Sequence, residues 1–302
     1  MYPEREVDMS LPAAFFSVIV IWSTTLLAIK WSAAGVGSSF AVLARMAFSA
    51  LLCIALLALL RVRLPLHRRA QHAYLVSGLS MFGAMALTYW SSQYVSSGMI
   101  SVLFGLSPLL TSLAAPWLKE EAMTPPKVAG MLLGLAGLAL VFRGGLGLGE
   151  GAFLGVLALF LAVLLQSLVL VLVLLKRIGD DSPPLATTLG TLVVALPLFF
   201  LAWWLQDGHW PAAVPERALA ATLYLGVFGS VLGVALYYYM IRHLEAGRIA
   251  LITLITPVMA LLLGHALNNE AALPQVWFGT ASILLGLCRH RRGKAWLARL
   301  SG

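Results

Sequence analysis

Charge is scarce in this chain. Only 11% of its 302 residues are Asp, Glu, Lys or Arg, and none lies between Ala70 and Leu118. A soluble domain needs a charged surface, so this scarcity excludes one. Cysteine is nearly absent. Cys53 and Cys288 each fall in an apolar stretch, which excludes a disulfide framework or a cysteine metal site. The six histidines are scattered and no HxxxH or CxxC pattern occurs, so no metal or cofactor is expected. Acidic residues are missing from the middle of every apolar run: all twelve Asp and Glu sit in termini, connections or run ends.

What is present is apolar: 61% of the residues are hydrophobic and the mean hydropathy is +0.93. The runs predict ten helices, at about 11–31, 38–60, 73–94, 97–118, 126–142, 152–175, 184–205, 218–241, 247–267 and 273–288. The expected fold class is an all-α integral membrane protein with ten transmembrane helices, and its first partner is the lipid bilayer. The N-terminus carries Glu4, Glu6 and Asp8 before a long apolar run, which is unlike a signal peptide.

The two halves repeat each other. At an offset of 149 residues Pro108 pairs with Pro257, Tyr89 with Tyr238, Gly98 with Gly247, Glu121 with Glu270, and Gly137 with Gly286. The reading is one five-helix repeat in 1–143, a Gly-rich linker in 144–151, and a second repeat in 152–302 with a basic tail. An odd number of helices per repeat makes the halves inverted, the common build of secondary transporters.

Basic residues carry the orientation. With the N-terminus in the cytoplasm, sixteen of the twenty Lys and Arg fall on inside segments. Only Lys30, Arg143 and Arg217 fall outside, and Arg45 lies within span two. Both termini are therefore expected in the cytoplasm, with the chain in a bacterial inner membrane. The sequence assigns no oligomeric state.

In order along the first half come Trp22-Ser23 with Ile29-Lys30, then Phe40 to Arg45, the mid-span Pro108, Glu121 and Gly130. The second half repeats the last part. This pattern resembles the drug/metabolite transporter superfamily, specifically its ten-helix EamA-type exporters. Within it the chain looks most like bacterial exporters of amino acids, including aromatic ones. It departs from the pattern at Gln166, where a tryptophan is common, and at Asn268-Asn269-Glu270. The resemblance implies export of a small metabolite by alternating access.

The residues give their own candidates for that path. Polar groups in lipid are costly and tend to face a cavity. Trp22, Tyr89, Gln93, Gln166, Tyr238 and Thr253 are the expected substrate-binding residues. Pro108 and Pro257 are the expected hinges, each removing a backbone hydrogen bond mid-span. The solute site is expected near the midplane between helices one, three, four, six, eight and nine, with five and ten at the periphery. Arg45 is the one charge well inside a span. It anchors structure, through carbonyls or by reaching the interface, or it holds a solute carboxylate; anchoring is the preferred reading. With no carboxylate in a span core, facilitative transport is expected. The alternatives are a proton-coupled efflux carrier and a membrane-embedded enzyme; no clustered catalytic residues support the latter.

Overall fold

A computed structural model describes residues 10–107, 109–110, 125–146, 151–174, 182–233, 236, 240, 243, 246–270, 274–285 and 288. Every regular element among the described residues is helical. Lipid offers the backbone no hydrogen-bond partner, so long apolar runs must bond internally.

The helices are α1 (Leu11–Ala33), α2 (Ser38–Leu60), α3 (Arg68–Ser91) and α4 (Ser97–Phe104). They continue as α5 (Pro125–Leu146), α6 (Ala152–Leu174) and α7 (Pro184–Gln206). Then come α8 (Glu216–Tyr224), α9 (Ala246–Asn268) and α10 (274–285). α1, α2 and α7 have 23 residues each and are long and apolar enough to cross a membrane. At 1.5 Å per residue each reaches roughly 34 Å, the thickness of a hydrocarbon core. Their outward faces are apolar: Leu51 is 65% exposed and Leu205 75%. Water would penalise such a surface and lipid does not.

Three elements differ from the sequence expectation. α3 starts at Arg68 rather than 73, because exposed Arg68 and Arg69 extend the helix past its apolar stretch. α4 stops at Phe104, with a turn at Gly105-Leu106 before helix resumes at Ser107. Phe104 is four residues before Pro108, whose ring would strike its carbonyl. α8 runs directly into a π-helical stretch, Leu225–Leu232. Pro257, the repeat mate of Pro108, sits buried inside an unbroken α9; Pro108 itself lies outside the described residues.

The packing follows the repeat. α1 lies along α8 and α9, while its mate α6 lies along α3 and α4. α3 meets α7, while their mates α8 and α2 meet through the π-helical stretch. The pairs α2–α7 and α4–α9 are each their own mate. The halves thus interlock. α5 and α10 meet where Gly137 presses its backbone on α10: a Cβ there would lie 2.6 Å from the Gly279 carbonyl oxygen, so only glycine fits.

Candidate functional site

One end of the bundle is sewn shut by polar side chains. At the C-terminus of α1, Lys30 donates to the Val95 carbonyl at 2.8 Å and pairs with Glu270 at 3.5 Å. Glu270 Oε2 accepts from the Ser97 amide and hydroxyl, both at 2.8 Å. Those donors open α4, where a helix N-terminus favours a carboxylate. Asn268 donates to Glu270 Oε1 at 2.9 Å and accepts from Trp31 Nε1 at 2.9 Å. Arg217 stacks its guanidinium 4.0 Å above the Trp31 ring, joining α8 to α1. Nearby, Ser39 donates to Asp207 and Gln93 donates to Ser38 at 3.0 Å. α1, α2, α3, α4, α7, α8 and α9 are all tied at this end. Lys30, at the end of α1, turns its ammonium to Glu270.

Deeper in the bundle the polar groups behave differently. Most buried hydroxyls bond a carbonyl of their own helix: Ser49 to Arg45, Thr88 to Ala84, Thr256 to Ile252 and Thr280 to Val276. Ser23 Oγ, 1% exposed, has no partner. Arg45 is 6% exposed, with one long contact from Nη1 to the Tyr89 hydroxyl at 3.4 Å; its Nε has no partner. Among the described residues no carboxylate pairs with it. Its Cα lies roughly 10 Å along α2 from the sewn end. A charge at that depth costs about 2.5–3.5 kcal/mol on insertion scales.

The π-helical stretch of α8 faces this arginine. A Cβ on Gly229 would lie 3.4 Å from Arg45 Nη2 and 3.5 Å from Thr25 Oγ1. A Cβ on Gly233 would lie 3.4 Å from Trp22 Nε1. Widening to a π-helix and carrying glycine at these turns keeps the wall bare. Such stretches recur at functional sites. Above them Tyr224 shares a 2.6 Å hydrogen bond with Thr24 and stacks on Phe228.

Of the six expected substrate-binding residues, Trp22 and Tyr89 come together around Arg45 and α8. Tyr89 is fully buried and Trp22 partly so. Gln93 sits apart, exposed at the sewn end and bonded to Ser38. Gln166 is exposed, yet it shares the α6 face of buried Leu159 and Ala162, opposite the exposed stripe of Leu154, Leu157, Leu161, Leu165 and Leu168. Beside it Ser167 meets Ser107 at 3.0 Å, linking α6 to the end of α4. Tyr238 lies outside the described residues, as does the side chain of Thr253. Sequence reasoning singled out the polar run Trp22 to Thr25 in span one but passed over Tyr224. The glycines 226, 229 and 233, spaced along span eight, were the available signal.

A model of the EamA-like transporter family matches residues 11–143 and again 153–289. Protein PagO of Salmonella typhimurium is 24% identical over 277 residues, covering 89% of this chain and 90% of that protein. A probable terminal-alkyne amino-acid exporter of Streptantibioticus cattleyicolor is 24% identical over 275 residues, 91% of each chain. An inner membrane transporter of Escherichia coli, YedA, is 25% identical over 95% of this chain and 92% of its own. A crystal structure aligns over 93% of this chain and 96% of its own, with a TM-score of 0.62 at 22% identity.

Proposed function

The chain belongs to the EamA-like transporter family and is a multi-pass membrane transporter, and on that premise we propose that it exports small metabolites, aromatic amino acids first among them, by alternating access. The observation that carries this reading is the exchange of helix contacts between repeat mates. Two interlocked halves with interchangeable partners can swap conformations and so open one side at a time. The repeats are 1–143 and 152–302, joined by 144–151 and inverted, with both termini in the cytoplasm. The sewn end then faces outward. Exposure of Gln166 on the inward face of α6 fits a cavity that opens toward the cytoplasm. Trp22, Tyr89, Gln93, Gln166, Tyr238 and Thr253 line the path, and Pro108 and Pro257 set its hinges.

Transport is facilitative in this reading. Among the described residues Asp207, Glu216 and Glu270 lie at helix ends, not in a span core. Aromatic walls favour a solute with an apolar body. The amino-acid part draws on similarity to the Streptantibioticus exporter. The family speaks for a carrier over an enzyme.

The test is flux of labelled phenylalanine in liposomes holding the purified protein, with and without a pH gradient. Downhill flux indifferent to the gradient is expected. Accumulation driven by the gradient and lost in His265→Ala would establish proton coupling instead. His265 Nδ1 sits 3.1 Å from the Glu270 carbonyl. Absence of flux for every amino acid tried would end the substrate assignment.

A further inference from the structure

Among the described residues the buried guanidinium has no counter-ion, and bare backbone of the π-helical stretch stands against it. We propose that Arg45 binds the carboxylate of the transported solute, so that the substrate class is monocarboxylates with an apolar body. The inference rests on the transporter reading above and deepens it. Anchoring by backbone carbonyls would require Arg45 to donate to them, and among the described residues none accepts; reaching the interface would require exposure, and 6% remains. An arginine is charged at every accessible pH, so neutralisation by proton loss is closed to it. A charge held in a low-dielectric interior without a partner is strongly unfavourable, and an incoming carboxylate removes that cost. The planar fork suits two carboxylate oxygens.

The neighbours agree with such a ligand. Tyr89 accepts from Nη1 through its hydroxyl oxygen, so its O–H can donate to a bound carboxylate. Gly229 sets bare backbone against Nη2 and Thr25 Oγ1, where a Cβ would stand 3.4 Å and 3.5 Å from them. Trp22 offers apolar surface for the body of the solute. The same arrangement repels a solute that carries an ammonium group alone.

Thermal unfolding of the purified full chain in detergent tests this with three probes sharing one apolar body. These are 3-phenylpropanoate, phenethylamine and phenyl phosphate. Added 3-phenylpropanoate should raise Tm in a concentration-dependent way, and phenethylamine should not. Arg45→Lys keeps the charge but loses the fork, so its apparent affinity for the carboxylate should fall about tenfold. Arg45→Met should abolish the shift. Stabilisation by phenethylamine equal to that by 3-phenylpropanoate would overturn the proposal. So would an undiminished carboxylate shift in both variants, or no shift in the parent. A larger shift with phenyl phosphate would assign the site to phosphate esters and overturn the carboxylate class. A carboxylate shift together with absent phenylalanine flux would sink the amino-acid assignment and leave Arg45 in its role.

Discussion

Two charged regions of the molecule obey opposite rules. At the sewn end Glu270 receives Lys30, Asn268 and both donors of Ser97, so its two oxygens are fully used. In the core Arg45 has one long contact and an empty Nε. The first cluster is a fastening: every group in it is satisfied, and opening it exposes a charge and a helix terminus at once. The second is unsatisfied among the described residues, and the proposed carboxylate would supply its partner. A transporter needs both kinds, one to hold a closed end and one to recognise cargo.

The contrast can be sharpened from the fastened side. Glu270→Gln removes the charge on which four donors converge. A charge-assisted hydrogen bond contributes about 1.5–3 kcal/mol, so loss of about 3 kcal/mol and a Tm drop of roughly 5–10 °C are expected. The same variant should open the end. Ser101→Cys, on α4 and 2% exposed, should label slowly with a membrane-impermeant maleimide in a cysteine-free parent. Labelling should be about tenfold faster or more beside Glu270→Gln. Equal rates would show that Glu270 fastens nothing. Lys30→Met should have a smaller effect. It loses the Val95 bond and an ion pair whose lysine is 23% exposed, about 1–1.5 kcal/mol together. Arg217→Lys should have the smallest, about 0.5–1 kcal/mol from weakened stacking on Trp31, read as a Tm shift of a few degrees at most. Reversal of this order would break the picture of a cluster centred on Glu270.

The sequence disclosed the architecture because lipid imposes few choices. Ten apolar runs and an offset of 149 residues led to helices whose partners exchange between halves. Local irregularities were harder. Pro108 and Pro257 are equivalent by sequence, yet α4 ends at Phe104 while α9 continues unbroken. Proline disfavours a straight helix, and the packing around it decides whether the helix bends or stops. A hydroxyl preceding a mid-span proline can bond a carbonyl in the preceding turn. Thr256 bonds Ile252 and Ser107 pairs with Ser167 across to α6. The π-helical stretch left no periodicity signal beyond its two glycines and Gly233 just after it. Gln93 and Tyr89 share a helical face in sequence, but one is exposed at the sewn end and the other fully buried. Depth along the helix separates them, and spacing alone does not encode depth.

The central claim is that Glu270 stabilises the protein whereas Arg45 costs it stability in exchange for recognition. The most direct measurement is Tm of the purified, ligand-free chain as parent, Glu270→Gln and Arg45→Met side by side. Removing a satisfied charge should lower Tm. Removing an unpaired buried one should leave Tm within about 3 °C of the parent or raise it, since apolar replacement of buried charge is often neutral or favourable. Flux of phenylalanine through Arg45→Met should nevertheless be lost. A fall in Tm for Arg45→Met as large as that for Glu270→Gln would make the arginine a structural anchor and contradict the account.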